Sequence, residues 1–352
     1  MLDPCRPAVI LAPMEGVTDA PMRAVQGELG PFSFAVTEFL RITQLVPPRQ
    51  TFLQHMPELA HGGRTLTGLP VQLQLLGGDA ARMADSAGRA WELGVTAIDI
   101  NFGCPAKTVN RHDGGAALLR YPRRIRDIVA AVRSAVPRHI PVSAKLRLGW
   151  DSPDAIDENA MMAAEGGATW ITIHGRTRIA GYQPPIDWEP IGRVRKRLPL
   201  PVVANGDIWT LNDFRRCRDI TGCRHFMLGR GAIGHPQLAW QVAAELGLVS
   251  RPAQRTEPSE DWAALLQRLV DWTGRMQPTR AEKMVSRLKQ WLRIAALVGQ
   301  FPHFDRIKHA TTIDDLFLLL NDSAPPDQRL KSSPLIVSAP ASGYNHIVTE
   351  TF

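Results

Sequence analysis

A thiol, an amide, a carboxylate and an ammonium group fall within nine residues of one another in the run AIDINFGCPAKTVN, residues 97–110. Cys104 sits between Gly103 and Pro105, two breakers that stop the strand announced by Ile98 and Ile100. Asp99, Asn101 and Lys107 bring polar and charged groups to the same strand exit. An ordinary thiol has a pKa near ~8.5, so at neutral pH it holds a proton that it can give up. The placement suits general-acid work; the alternative is a buried, inert cysteine in a turn.

Other chemistry-bearing residues stand at comparable places. In PVSAKLRL (141–148) the alternation of Val142, Ala144 and Leu146 with Ser143, Lys145 and Arg147 puts Lys145 and Arg147 on one face. A lysine facing a site can stabilise negative charge on a cofactor ring; facing outward, it would merely pair with a helix acid. TIHGRT (172–177) places His174 beside Arg176 and Thr177, a grouping suited to anion or substrate contact. Met14, after Pro13 and before Gly16, can pack against a flat ring or fill a core. In GRGAIGHP (229–236), Gly229 and Gly231 let backbone approach an anion closely and Arg230 can pair with it. Asn205, Gly206 and Asp207 supply an adjoining wall.

The elements that must position these groups are eight short apolar runs: 8–12, 34–39, 71–76, 96–101, 141–148, 169–175, 201–206 and 225–231. Amphipathic stretches, among them 79–94 and 123–136, lie between them with apolar residues at three- and four-residue spacing. Strand–helix alternation repeated eight times predicts an α/β fold, a (β/α)8 or TIM barrel; a doubly wound open sheet would normally use fewer strands. Each run ends in polar or glycine-rich residues, as the active-site rim of a barrel requires. These endings include Glu15 and Gly16, Thr37 and Glu38, Gln74, Asn101 with Cys104, Lys145 with Arg147, and His174 with Arg176. In a barrel the loops after strands seven and eight, here 205–207 and 229–231, form a common phosphate site, which implies a phosphate-bearing cofactor.

After a last barrel helix at 235–247, the polar, proline-containing SRPAQRTEPSE (250–260) reads as a linker. From Asp261 to about Leu320 the periodicity is helical, with apolar stripes at Leu265, Leu269 and Trp272 and at Leu288, Trp291, Leu292 and Ala295. The expected organisation is a catalytic barrel over 1–248, an all-helical domain over 249–321 and a flexible tail over 322–352. The chain carries a net charge of +7. Residues 251–310 hold eleven Lys and Arg against six Asp and Glu, a net +5 on that stretch. A solvated helix face and an anionic partner both account for that. Four cysteines in 352 residues give neither a disulfide framework nor zinc-ligand spacing, which points to the reducing cytoplasm and to no metal. No run reaches the length of a membrane span.

Taken together, APMEGVTDAPMR, QLLGG, DINFGCPAKTVN, AKLRLGW, HGRT, ANGDIW and MLGRGAIG resemble the tRNA-dihydrouridine synthase family, in the family's order over residues 8–236. TEFLR (37–41), Trp209 and RLKQWL (287–292) resemble its C-type bacterial subgroup, which acts on the uridine at position 16 of the tRNA D-loop. The resemblance implies an FMN-dependent, NADPH-driven reduction of a tRNA uridine to dihydrouridine by a monomer. Carried over by motif, Pro13, Met14, Gln74, Lys145, His174, Asn205, Gly206, Asp207, Gly229 and Arg230 would hold FMN. Cys104 would be the general acid, and Glu38, Arg41, Asn101, Lys107, Arg147, Arg176 and Lys289 would contact the tRNA. The basic helical segment would bind tRNA. The chain departs from the subgroup at His112 and Asp113, where small residues and glycine are usual. Two rival readings remain at this stage: an FMN barrel reductase of a free small molecule, similar to dihydroorotate dehydrogenase, and an RNA-binding protein with a degenerate site.

Overall fold

Eight fully or largely buried runs form short strands: β1 (Ala8–Leu11), β2 (Phe34–Arg41), β3 (Val71–Leu76), β4 (Ile98–Phe102), β5 (Val142–Arg147), β6 (Ile171–His174), β7 (Val202–Asn205) and β8 (His225–Leu228). They pair in chain order, all parallel, and β8 closes on β1 to make a barrel. Parallel strands are covered on both faces, which is why they read as near-continuous apolar runs. In this computed structural model the described residues are 1–249, 261–277 and 281–323, in two units, Met1–Pro252 and Ala253–Phe352. The 250–260 linker and residues 324–352 of the expected tail lie outside the described residues.

The barrel interior is divided by chemistry. Ala8, Ile10, Ala12, Phe34, Val36, Trp170, Val203 and Met227 form an apolar cluster on one side. On the other, β3, β4 and β5 set polar residues level with one another: Gln74 pairs with Asp99, Asp99 with Ser143, and Asn101 with Lys145. A buried polar group left without a partner costs about 1–3 kcal/mol, so this half must be satisfied from within.

The expected amphipathic stretches are the helices Ala80–Glu92, capped by Asp79 Oδ1 accepting from Arg82 N, and Pro122–Ser134. The helix expected over 235–247 is Leu238–Glu245, and a separate five-residue helix, Arg230–Gly234, precedes it with a break at His235. Outside β2, the helix Ala20–Leu29 is tied to the turn Pro57–His61 by a buried ion pair. Arg23 Nε lies 2.7 Å from Glu58 Oε1 and Nη2 lies 2.9 Å from Oε2, and both side chains are 1% exposed.

The second unit contains the helices Trp262–Met276, Ala281–Leu297, Phe304–Ile307 and Ile313–Ser323. Leu288, Trp291, Leu292 and Ala295 are buried as their spacing predicts. In the first helix the buried stripe is Trp262, Leu266, Leu269 and Trp272, and Leu265 is only half-buried. Trp262 sets that phase: its ring meets Trp291 at 5.9 Å and Phe301 at 6.0 Å, and Leu266 lies one turn on from it. Among the described residues no helix is long and apolar enough to cross a membrane, and no group of His, Cys, Asp and Glu is arranged to hold a metal.

Candidate active site

Cys104 leaves β4 just past the strand end, and its backbone is fixed by the side chain of Asn101. Asn101 Oδ1 accepts from the N–H groups of Gly103 and Cys104, each at 2.9 Å. Asn101 Nδ2 donates to Gln74 Oε1 at 2.8 Å, and Gln74 Nε2 donates to Asp99 Oδ2 at 2.7 Å. Burial pushes the Cys104 thiol above its ordinary pKa, and Glu15 adds to the rise against the opposing pull of Arg147 and Lys145. The thiol therefore holds its proton at neutral pH.

Lys145 and Arg147 share the inward face of β5, as the alternation predicts. Desolvation pushes Lys145 down to about 8, with Arg147 adding to the shift and Asp99 opposing it. Arg147 gathers loops: its Nε donates to Gly103 O at 2.8 Å, and its Nη1 to Thr177 O at 3.1 Å and Gly181 O at 2.7 Å. His174 is held well below the ordinary histidine range by burial and by the cations Arg147, Lys145, Arg176 and Arg230, so its imidazole is neutral. Its Nδ1 is buried with no hydrogen-bond partner.

The loops after β7 and β8 meet on the same rim. Asn205 Nδ2 donates to Met227 O at 2.9 Å, which locks the two strands together. Asp207 has a left-handed φ of 45° and forms ion pairs with Arg176 Nη2 and, at 3.8 Å, with Arg230 Nη2. Gly206, at φ 116°, lies so close to Ile186 and the His174 ring that a Cβ there would stand 2.6 Å from Ile186 Cδ1. At Gly229 a Cβ would meet nothing nearer than Met14 Sδ, 3.4 Å away, so the bare backbone leaves an open approach beside Met14.

The sequence pattern of one family, described as Dihydrouridine synthase (Dus), matches residues 10–299, which take in the barrel and the first helices of the second unit. The chain belongs to that family. Dihydrouridine synthases are oxidoreductases. Relatives named tRNA-dihydrouridine(16) synthase include one from Shewanella oneidensis, 45% identical over 300 residues, covering 85% of this chain and 91% of the relative. Another, from Pseudomonas putida, is 43% identical over 295 residues, covering 84% and 89%. Among solved structures, histamine dehydrogenase from Rhizobium sp. 4-9 superposes with a TM-score of 0.51 at 14% identity over 75% of this chain. The chain spans about half (49%) of that protein, and the likeness shows the barrel fold alone.

Around this dihydrouridine synthase barrel the remaining sequence-derived positions are distributed as follows. Glu38 sits at a bulge in β2, where the register shifts between Val36 and Phe39. Its Oε1 is buried without a partner, and burial, aided by Glu15 and Asp19, raises it to about 7. Arg41 Nη2 donates to Thr108 O at 3.1 Å, tying the end of β2 to the short helix that begins with the exposed Lys107. Arg176 Nε donates to Gln183 O at 2.7 Å, and its Nη1 is buried without a partner. Lys289 lies in the other unit and donates to Lys308 O at 2.9 Å and Ala310 O at 2.8 Å, which closes a turn there. Two further residues join the site beyond the positions carried over by motif. Tyr182 stands 56% exposed with Arg147 and Arg230 each 5.0 Å from its ring and the His174 ring 6.2 Å away. Asp99 carries the base of the hydrogen-bond chain that ends on Cys104.

Proposed function

We propose that this chain reduces a uridine of the tRNA D-loop, at position 16, to 5,6-dihydrouridine, with FMN in the barrel mouth and NADPH as reductant. The observation that carries the reading is a protonated, half-buried thiol, Cys104, on the same rim as Lys145 and a neutral His174 whose Nδ1 has no protein partner. Relatives at 40–45% identity bear the name of that activity.

The residues fit a flavin phosphate. Unpartnered buried nitrogen on His174, the open backbone at Gly229 and the cation Arg230 suit an anionic, aromatic group packed on Met14. Pro13, Met14, Gln74, Lys145, His174, Asn205, Gly206, Asp207, Gly229 and Arg230 would hold it, with Lys145 offering positive charge to the ring system. Held there in reduced form, FMN would supply the hydride needed at C6 of uracil.

The chain supplies the rest. Cys104 Sγ–H gives its proton to C5, where negative charge develops as hydride arrives. Asn101 and Arg147 hold the Cys104 loop in place, and Arg176 Nη1 and the Glu38 carboxyl have capacity left for the polar edge of a base. At about 7, Glu38 is present in both forms near neutrality and can donate as well as accept. A uracil inside a folded D-loop is out of reach, so the base must be extruded into the mouth. Tyr182, flanked by two guanidinium groups, offers a stacking face for a neighbouring base.

Single-turnover flavin reoxidation tests the reading against the small-molecule alternative. The reduced protein, mixed anaerobically with unmodified tRNA, is expected to reoxidise within seconds to minutes and to remain reduced with free uracil or orotate. Reoxidation by orotate and none by tRNA would transfer the site to the small-molecule class.

A further inference from the structure

The hydrogen-bond chain that ends on the Cys104 backbone begins three side chains deeper, at a residue with no contact to the thiol. Asp99, on β4, is 2% exposed. Its Oδ2 accepts from Gln74 Nε2 at 2.7 Å and its Oδ1 from the Ser143 hydroxyl. Ser143 Oγ in turn accepts from Gln72 Nε2 at 3.0 Å, and Gln72 Nε2 also donates to Ile98 O at 2.9 Å. The Ser143 proton is thus committed to Asp99.

An ionised carboxylate accepts only, whereas an amide accepts on one side and donates on the other. With its Nε2 drawn to Asp99, Gln74 must present Oε1 to Asn101. Asn101 then gives its Nδ2 to Gln74 and turns Oδ1 to the N–H groups of Gly103 and Cys104. The carboxylate anchors one end of a chain of two amides, and the reactive loop hangs from the other. Such chains are strengthened by mutual polarisation in a low-dielectric interior.

We infer that Asp99 is a positioning residue for Cys104: through Gln74 and Asn101 it fixes the 103–104 backbone, and so the direction in which the thiol points. The inference rests on Cys104 as the proton donor of the proposed reaction, but its test does not. Burial raises the Asp99 carboxyl above its ordinary pKa, and the hydrogen bonds from Ser143 and Gln74, with the charge of Lys145 on β5, oppose the rise.

The test compares Asp99→Ala, Asp99→Asn and Ser143→Ala with the unaltered chain, by the rate of alkylation of each cysteine with iodoacetamide, read by peptide mass spectrometry. Cys217 and Cys223 are buried elsewhere in the barrel wall and report global opening. Removing the anchor frees the loop. Cys104 in D99A is expected to react at least tenfold faster, and in D99N, which keeps one oxygen for Gln74, two- to fivefold faster. S143A, which removes a donor from the same layer and leaves the chain above it intact, is expected to stay within twofold, with Cys217 and Cys223 unlabelled throughout. In turnover with tRNA the same variants are expected to lose kcat in the order D99A, D99N, S143A, with KM for tRNA unchanged. If D99A does not fold, the comparison of D99N with S143A decides. Cys104 reactivity within twofold of the unaltered chain in D99N and in any folded D99A overturns the inference. So does an equal rise in S143A, or a rise that Cys217 and Cys223 share. Loss of tRNA turnover in the unaltered chain would remove the proposed function while leaving the alkylation result to judge Asp99.

Discussion

Cys104 is caught between two effects that act together: burial keeps its proton on, and Asn101 holds its backbone still. In the proposed reaction both favour donation at a fixed point. Cys104→Ala is expected to keep the yellow flavin spectrum and to lose turnover on unmodified tRNA by about 10²–10⁴-fold, the usual worth of a general acid. Turnover equal to that of the unaltered chain would take the proton donor elsewhere. Lys145 gives a second prediction with a definite sign. Its folded pKa of about 8 lies below the ordinary 10.5, so below pH 8 the buried charge costs stability, and the cost is relieved as pH rises from 8 towards 10. Cofactor-free Lys145→Met is expected to melt higher than the unaltered protein at pH 7, with the gap closing by pH 10, and to bind FMN poorly. A gap that widens with pH would contradict the desolvation argument. These two residues were legible in the sequence because a breaker pair brackets one and strict alternation fixes the face of the other. Tyr182 was not, and Asp99 was visible only as a polar group at the strand exit, not by its connections. Asp99 matters through partners 25 and 44 residues away, and only the strand register brings them level.

At the scale of elements, the eight strands were readable because buried parallel strands cannot hide among polar residues. What the pattern could not show is how the rim of β2 is held. The bulge at Val36–Phe39 re-aims Glu38, and His55 Nε2 reaches Glu38 O at 2.8 Å from the helix Arg49–His55. The neighbouring pair Arg23–Glu58 joins positions 35 residues apart, a distance at which charge pairing has no sequence signature. Removing one partner of a buried pair leaves an uncompensated charge, at about 3–5 kcal/mol. Glu58→Ala is therefore expected to lower the unfolding free energy in urea by that amount; a loss under about 1 kcal/mol would mean that water reaches Arg23. In the helix Trp262–Met276 the expected Leu269 and Trp272 are buried, but Leu266 takes the place expected for Leu265: the two are equally apolar, and the Trp262–Trp291 contact chooses between them.

For the whole molecule, charge and fold divide the work. The barrel carries the chemistry-bearing rim, and the second unit carries a basic stretch, residues 261–310, with nine Lys and Arg against four Asp and Glu. If that unit binds tRNA, affinity must fall steeply with salt, because each neutralised phosphate releases counterions. Reversing the exposed Lys283 and Arg293 to Glu is expected to raise KM for tRNA, to leave flavin content and kcat unaltered, and to reduce the slope of log affinity against log salt by about 2. An unchanged slope would assign those charges to solvation alone. The central claim is tested most directly by mass spectrometry of tRNA from a host lacking this gene, before and after incubation with the protein and NADPH. The prediction is a gain of two hydrogens on one fragment of the D-loop containing position 16. An unchanged D-loop, with the flavin shown by its spectrum to be bound and reduced, would contradict it.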